Sequence, residues 1–267
     1  MSTTTAPPLP PAGHLLREWR QRRKRSQMDL ALDAEVSTRH LSYVETGRAS
    51  ASREMLLRLA EHLDIPLRQR NLLLMAGGFA PHYPERPLQA PDMAAARGAV
   101  EAILKGHEPF PALAVDRHWH LVAANAALAP MIQGAATRLL EPPVNVLRLS
   151  LHPEGLASRI ENLPEWRAHL LERLRMQVER SGDAELAALH AELAAYPYPA
   201  GSPTITGGIA VPLRIRVPGQ ARALSFLSTT TVFGTPVDIT LAELALECFY
   251  PADDATRQAL TMEARRP

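Results

Sequence analysis

The sequence predicts two domains, an all-α unit of five short helices followed by an α+β domain with an antiparallel sheet. Three observations carry this prediction. The chain has 267 residues, 46% of them hydrophobic, which is enough for two separate cores. Between Gly13 and Ala80 there are 12 Lys and Arg against 8 Asp and Glu, whereas from Pro81 onward there are 17 against 20. The proline-spaced segment APHYPERPLQAP lies at this change of charge and is typical of a semi-rigid linker.

The first domain, assigned to residues 13–80, is indicated by helix-start and helix-stop signals. Residues 1–12 are mainly Thr, Pro and Ala without periodicity, and we expect them to be disordered. In the domain itself, serines precede three of the five predicted helices as N-caps, and glycines follow two of the five. The predicted helices are Leu15–Arg23, one capped by Ser26, one capped by Ser37 and ended by Gly47, one capped by Ser52, and one from Pro66 to Gly77.

The rest of the chain mixes strand and helix periods. We assign residues 81–108 to a linker with a connecting helix and residues 109–267 to the second domain. The stretch PALAVDRHWHLVAAN predicts two short strands around a polar turn, with a helix from about Asn125. Apolar spacing then predicts two amphipathic helices, Leu163 to Val178 and Leu186 to Tyr196.

Strand signals dominate the last third of the sequence. Strict alternation from Ile209 to Val217 predicts a half-buried strand, and Pro218-Gly219 turns it into a second strand, ALSFLSTTTVF. Thr240 with Glu243 has the form of a capping box, which predicts a last long helix. Cys248 falls at the end of that Leu-rich pattern and is interpreted as a buried apolar thiol.

Composition and motifs exclude several classes of function. The sequence has neither an apolar run long enough to span a membrane nor a secretory signal, so we expect a cytoplasmic protein. It contains no H-E-x-x-H, no G-x-S-x-G and no glycine-rich phosphate loop, and we predict no catalytic residue and no cofactor. His118 and His120 either share a strand face as metal ligands or belong to a polar hairpin turn, and the turn is favoured because no third histidine is near.

One short stretch carries the strongest functional signal. In VSTRHLSYVETGRAS the apolar side chains keep to one side of a predicted helix, and hydrogen-bonding side chains gather on the other. The preceding helix and a tight turn at Glu35-Val36 give the spacing of a helix-turn-helix, whose second helix enters the major groove. With Gln27, Leu30-Ala31 and Gly47-Arg48 in order around it, the segment resembles the lambda-repressor-like, XRE-type helix-turn-helix family.

The resemblance implies a role in DNA binding for particular residues. Contacts to base edges fall on Thr38, Arg39, Ser42 and Tyr43. Contacts to the phosphate backbone, which position the protein without specifying sequence, fall on Gln27, Ser37, Arg48, Ser50, Ser52 and Arg53. The resemblance also implies a structural ion pair between Arg20 and Glu45. Glu35 stands where many members have glycine, at a cost of about 1 kcal/mol if its φ is positive.

The second domain, over roughly Pro111 to Leu260, resembles the ligand-binding domain of MmyB-like regulators. The matching segments are PALAVDRHWHLVAAN, NVLRLSLHPEG, ENLPEWRAHLLERL and STTTVFGTPVDITLAELALECFYPADDAT. A PAS-like fold is implied, with a small-molecule pocket between the sheet and its helices. Residues suited to an elongated apolar guest are Phe110, Trp119, Leu121, Leu128, Met131, Ile132, Trp166, Leu170, Phe226 and Phe233. Polar residues that could anchor a carboxylate or hydroxyl are Asn125, Arg148, His169 and Arg173.

These observations predict a DNA-binding transcription regulator that acts as a homodimer on a double-stranded operator. We expect a small apolar ligand in the second domain, with a fatty acid as the first candidate, no metal and no membrane contact. Such a regulator would be associated with the nucleoid. Three alternatives stay open: an enzyme tethered to DNA, a regulator whose C-terminal domain only dimerises, and a helical module used only for protein contacts.

Overall fold

The computed structural model describes residues 9–197 and 210–263. The chain divides after Glu85 into two compact units, and Val237–Ile239 groups with the first unit. The α-helices are α1 Ala12–Arg22, α2 Gln27–Asp33, α3 Thr38–Glu45, α4 Arg53–His62, α5 Leu67–Ala76, α6 Ala94–Gly106, α7 Ala129–Ile132, α8 Val146–Leu151, α9 Leu163–Ser181, α10 Ala184–Ala195, α11 Ile239–Ala242 and α12 Asp254–Glu263. The strands are β1 Ala112–Val115, β2 Leu121–Ala124, β3 Leu213–Ile215, β4 Leu224–Val232 and β5 Ala245–Pro251.

The first unit contains the five predicted helices. Ser26, Ser37 and Ser52 each cap a helix, and each side-chain oxygen accepts the amide hydrogen of the residue three positions later. All five helices end in the same way. A residue with positive φ follows the helix, and the residue after it donates its backbone amide to the carbonyl of the residue five positions before itself. The left-handed residues are Lys24, Glu35, Gly47, Asp64 and Gly78. The core of fully buried side chains includes Leu16, Leu30, Leu41, Leu56, Leu59 and Leu74.

A single glycine determines how closely α1 approaches α3. A Cβ atom on Gly13 would lie 2.0 Å from the carbonyl oxygen of Val44, so no other residue fits there without a backbone shift. This close approach fixes α3 against α1 by its buried side, which carries Leu41 and Val44. The opposite side of α3 is therefore the side that faces outward.

The first part of the linker is attached to α5 by one side chain. The Asn71 carboxamide oxygen accepts the backbone amides of His82 and Tyr83 at 2.8 and 3.0 Å, and its nitrogen donates to the Tyr83 carbonyl at 2.7 Å. Asn71 is buried, at 9% exposure. The polypeptide up to Tyr83 thus belongs to the helical unit by its hydrogen bonds.

The second unit is built on a five-stranded sheet in the order β2-β1-β5-β4-β3, and every neighbouring pair is antiparallel. Helix α6 covers one face of the sheet, where Val100 and Leu104 pack with Ala112, Leu246 and Cys248. Residues from α7 to α10 pack against the other face in a larger cluster. The structure confirms the predicted fold class, an all-α helical unit followed by an α+β domain with an antiparallel sheet.

The predicted last long helix after Thr240 is wrong. Thr240 lies inside the short helix α11, and the Leu-rich pattern that follows forms β5, the central strand. Both faces of β5 are covered, so Leu246, Glu247 and Cys248 are all buried and the alternation that marks a strand is lost. Cys248 is buried as predicted, but in a strand, and burial raises the pKa of its thiol.

Smaller differences concern element bounds and the described range. The helix predicted from Asn125 is a 3₁₀ turn followed by the four-residue α7. The alternating strand is only three residues long, and its predicted start, Ile209, lies outside the described residues. The tail predicted to be disordered also lies outside them up to residue 8, and α1 begins at Ala12.

Candidate DNA interface and ligand cavity

Helices α2 and α3 are joined by a turn that depends on Glu35. This residue has φ +54°, a left-handed conformation that costs a non-glycine residue about 1 kcal/mol or more. Its amide donates to the Leu32 carbonyl at 3.2 Å, and the Val36 amide donates to the Ala31 carbonyl at 2.9 Å. The departure from glycine noted in the sequence therefore places backbone strain in the turn itself.

The four residues predicted to read bases lie in the first two turns of α3. Thr38 and Arg39 are exposed, and Ser42 and Tyr43 are half-buried. Arg39 folds over Tyr43: its Nε donates to the Tyr43 hydroxyl at 3.1 Å, and its guanidinium carbon lies 5.3 Å from the ring centroid. Tyr43 therefore holds the Arg39 guanidinium in one orientation even when no DNA is bound.

The residues predicted to contact phosphate are in several different situations. Ser37 and Ser52 are the N-caps of α3 and α4, so their hydroxyl oxygens already accept backbone amides. Arg48 and Ser50 are exposed in the turn after α3. Arg53 is half-buried, and its Nη2 lies 3.0 Å from Nδ1 of His82.

A buried ion pair supports the back of this surface. Arg20 bonds both carboxylate oxygens of Glu45, with Nε to Oε1 at 2.7 Å and Nη2 to Oε2 at 2.8 Å. Gln27, predicted to contact phosphate, donates its amide nitrogen to Glu45 Oε2 at 2.7 Å. Burial raises the pKa of Glu45, but the bonds from Arg20 and Gln27 outweigh this effect and hold the pKa below its usual value. The implied Arg20–Glu45 pair is present and links α1 to α3.

The second unit contains an apolar cavity of about 250 Å³ between the sheet and the helices. Eight of the fourteen residues predicted for the pocket line it, namely Trp119, Leu121, Leu128, Met131, Ile132, Trp166, Leu170 and Arg173. Sequence reasoning missed several further wall residues, including Val144, Val146, Leu147, Leu149, Leu156 and Phe249. The volume corresponds to roughly eight water molecules at about 30 Å³ each, and a methylene group is of similar size.

The other six predicted pocket residues have different positions. Phe226 is fully buried in the core beside Phe249, and Phe233 packs with the cluster on the α6 side of the sheet. Phe110 lies against the ring of His107, and His169 lies against Trp166, 5.6 Å between centroids. The remaining two, Asn125 and Arg148, have structural partners outside the cavity wall.

Asn125 and Arg148 were predicted as polar anchors, and their hydrogen bonds explain why they do not serve the cavity. The Asn125 carboxamide accepts the Ala112 amide at 3.0 Å and donates to the carbonyls of Phe110 and Leu104. Arg148 forms a bidentate pair with Glu192 at 2.8 Å. Both side chains join elements of the fold and are absent from the residues that line the cavity.

The charged part of the cavity wall is a mutually bonded set of side chains, and the other polar wall residues are Ser150 and Ser228. Arg173 bonds both carboxylate oxygens of Glu247 and donates to the Thr230 hydroxyl at 2.7 Å, and that hydroxyl donates to Glu247 at 2.9 Å. The guanidinium carbon of Arg173 lies 4.7 Å from the Trp119 ring centroid. Glu247, at 4% exposure, therefore contributes a buried negative charge to this wall. Burial and the charge of Arg173 lower the pKa of nearby His169.

Trp119 occupies an unusual backbone position at the tip of the hairpin between β1 and β2. Its φ is +67°, although its indole lines the cavity and donates to Gln177 at 2.8 Å. Asp116 holds this turn, because its side chain accepts the amides of His118 and His120 at 2.8 Å. The favoured interpretation of the two histidines as parts of a polar turn agrees with these bonds.

His118 does not gather metal ligands. It lies between two carboxylates, with Nε2 3.0 Å from Asp183 and Nδ1 3.2 Å from Glu185. These partners approach opposite ring nitrogens and cannot share one ion with the imidazole. Within residues 9–197 and 210–263, no group of three or more His, Cys, Asp or Glu could hold a metal ion.

A second apolar groove, of about 240 Å³, adjoins the cavity at Met131. Its wall includes Pro130, Val217, Leu224 and Leu260, and Met131 lines both spaces. Arg159, a residue that no sequence pattern singled out, bonds the backbone of Met131 but lines neither the cavity nor the groove. Its Nη2 donates to the Met131 carbonyl at 2.7 Å, and its Nη1 is buried without a hydrogen-bond partner in the described part of the chain.

Comparisons with known families agree with this division of the chain. Residues 12–73 match a helix-turn-helix domain, and residues 96–262 match the MmyB-like transcription regulator ligand binding domain. A comparison with curated proteins gave no match. Across the described ranges, no helix is both long and apolar enough to cross a membrane.

Proposed function

Because the chain belongs to the MmyB-like transcription regulators and carries a helix-turn-helix domain, we propose that it controls transcription by sequence-specific binding to duplex DNA in response to an apolar ligand. The observation that carries the proposal is the pairing of an outward-facing α3 in one unit with an apolar cavity of about 250 Å³ in the other. We propose a homodimer as the acting species and a fatty acid as the first ligand to test. A regulator of this kind works beside DNA, so the proposal includes a cytoplasmic, nucleoid-associated location.

The base-reading role is assigned to Thr38, Arg39, Ser42 and Tyr43. Arg39→Ala should reduce discrimination at one base pair of each half-site by about 1 to 3 kcal/mol while leaving binding to random DNA nearly unchanged. Arg48→Ala is the matched control, because an exposed phosphate-binding arginine should weaken all sequences together and reduce the salt dependence. Affinities are measured on an operator selected from a random library and on its point variants. Equal losses by Arg39→Ala on operator and random DNA would assign Arg39 to phosphate.

The homodimer follows from the size of one recognition helix. A single helix reads only a few base pairs, and regulators of this kind gain specificity by placing two helices about 34 Å apart on DNA. The proposed contact lies in the C-terminal domain, since the helical unit is small. Sedimentation at micromolar concentration, combined with footprinting, tests this: a monomer that protects one undivided, non-palindromic site would exclude it.

The ligand is assigned by the character of the cavity. A domain that only dimerises would fill its centre with large side chains, whereas here roughly eight methylene volumes stay open among leucine, valine and aromatic walls. An acyl chain of eight to ten carbons is the guest of matching size. We therefore favour a sensor over a scaffold.

Two measurements test the ligand. The first is mass spectrometry of an organic extract of the purified protein. The second is thermal stabilisation by fatty acids of increasing length, for the wild type and for Ile132→Trp, which adds bulk at the cavity wall. Ile103→Trp adds the same bulk at an exposed position of α6 and is the control. An empty extract together with no stabilisation at any chain length would remove the acyl ligand and leave the DNA-binding proposal untouched.

A further inference from the structure

The charged groups of the inner cavity wall already neutralise each other. Arg173 bonds both carboxylate oxygens of Glu247, and Glu247 is buried at 4% exposure. A ligand carboxylate at this wall would face the Glu247 charge in a medium of low dielectric constant, and it would lose its hydration without gaining an unmatched cation. The cavity wall therefore disfavours a charged end on its guest.

The surroundings of the cavity offer a carboxylate no better place. The adjoining groove has Glu108 as the charged member of its described wall, so it adds a negative charge and not a positive one. Arg148 is paired with Glu192 and lies outside the cavity wall. Burial and the charge of Arg173 lower the pKa of His169, which leaves that ring uncharged at neutral pH. In the described parts of the two walls, the one cation, Arg173, is thus already matched.

Ser228 lies on the cavity face of the sheet beside the charged pair. In the register of β4 and β5 it pairs with Phe249, and Thr230, two residues further on, pairs with Glu247. Side chains two residues apart on a strand share a face and lie about 7 Å apart. Ser228 is half-buried and lines the cavity, and in the described part of the chain its hydroxyl has no hydrogen-bond partner. The cavity wall thus contains an unused hydrogen-bonding group.

The other unused groups of this wall are hydrogen-bond donors. Ser150 accepts the Trp166 indole hydrogen at 3.0 Å, and among the described residues its own hydroxyl hydrogen has no acceptor. Arg173 uses Nη1 and Nη2 for Glu247 and Thr230, and within the described ranges its Nε forms no bond. A hydroxyl or carbonyl oxygen accepts hydrogen bonds from such groups without bringing a charge. The wall is therefore matched to an uncharged oxygen.

We propose that the cavity binds an uncharged molecule whose apolar chain ends in a hydroxyl or carbonyl oxygen, and that Ser228 donates a hydrogen bond to this oxygen. The inference rests on the proposed apolar ligand and defines its polar end. A fatty acid meets the same requirement only when it is protonated. At pH 7.3 about one molecule in a thousand is protonated, since the pKa of a carboxylic acid is about 4.3.

The test compares decanol with decanoate on the full-length protein by calorimetry at pH 7.3, below the concentration at which either aggregates. Decanol should bind about 100-fold or more tightly than decanoate, because only the protonated fraction of the acid fits the wall. Ser228→Ala should weaken decanol binding about 3- to 10-fold, the loss of one hydrogen bond. Ser225→Ala makes the same change on the same strand, outside the cavity wall, and should leave both affinities within about twofold.

Glu247→Gln tests the charge argument in the opposite direction. The variant keeps the shape of the side chain and leaves the charge of Arg173 unmatched. Decanoate should therefore bind at least about tenfold more tightly than it binds the wild type, because a carboxylate then meets a cation and no like charge. The affinity for decanol should change less than the affinity for decanoate.

The possible results separate the inference from the proposed function. Equal affinities of the wild type for decanol and decanoate would overturn the inference and leave the apolar ligand standing. So would an equal effect of Ser228→Ala and Ser225→Ala on decanol binding, or a folded Glu247→Gln variant that does not gain affinity for decanoate. Binding of neither compound would remove the proposed ligand and the inference with it. If Glu247→Gln does not fold, the wild-type preference and the two serine variants decide.

Discussion

Arg20→Ala should destabilise the helical unit strongly at neutral pH and much less in acid. The arginine and glutamate side chains are 11% and 1% exposed, so removal of Arg20 leaves a carboxylate buried with only the Gln27 amide. Breaking a buried pair in this way costs about 3–5 kcal/mol. For a unit of this size, that loss corresponds to a fall in Tm of about 12 °C or more.

The pH dependence follows from the direction of the pKa shift. In the wild type the pKa of Glu45 is lowered in the folded state, so its contribution to stability is complete above the ordinary pKa of about 4.3 and is lost as the pH falls below it. Without Arg20, burial dominates and raises the folded-state pKa, so protonation stabilises the variant. The difference in stability between wild type and variant should therefore shrink between pH 7 and pH 4.

Native-state amide hydrogen exchange of peptides from residues 12–76 measures this unit separately from the rest. The control is Arg17→Ala, which removes an exposed arginine of the same helix that lowers the pKa of Glu45 by its charge alone, without a hydrogen bond, and this should cost under about 0.5 kcal/mol. A loss of the same size at pH 7 and pH 4, or a pH 7 loss no larger than that of Arg17→Ala, would refute the reasoning.

Three further predictions concern the turn, the reading face and the cavity. Glu35→Gly should raise the free energy of unfolding by roughly 0.5–1 kcal/mol in urea, because glycine relieves the left-handed strain at φ +54°, and a loss of stability would contradict this. Tyr43→Phe removes the hydroxyl that holds Arg39 and should weaken operator binding about threefold with little change on random DNA, so an unchanged ratio in gel-shift titrations would count against preorganisation. Met131→Ala joins the cavity of about 250 Å³ to the groove of about 240 Å³ and should move the preferred fatty acid several carbons longer in thermal-shift assays, whereas Ile132→Ala, inside the cavity only, should not.

The helical unit could be predicted from sequence because local signals and the fold agree there. Ser26, Ser37 and Ser52 cap helices in the structure as they do in the pattern, and apolar spacing marks the buried sides. The strand β5 could not, because it is covered on both faces and carries no alternation. The capping-box pattern at Thr240 predicted a long helix, but the segment after it forms the central strand of the sheet.

The cavity was predictable in its apolar members and not in its polar ones. Trp119, Leu128 and Trp166 are large apolar residues, and such residues gather wherever a domain has an interior. Arg173 and Glu247 pair across 74 positions of sequence, so no local pattern shows that Arg173 is already neutralised.

The cavity volume also limits how a ligand can act as a signal. A ligand that only relieved the left-handed strain at Trp119 would gain about 1–2 kcal/mol, which is roughly a tenfold change in an equilibrium between two states of the protein. A change from 1:99 to 99:1 needs about 5.5 kcal/mol of differential binding. A buried methylene contributes about 0.8 kcal/mol, so roughly eight of them supply about 6 kcal/mol, provided that most of these contacts exist in only one state. A four-carbon chain, at about 3 kcal/mol, falls short on the same reasoning. The chain length that fills the cavity is therefore also close to the shortest one that can switch the protein.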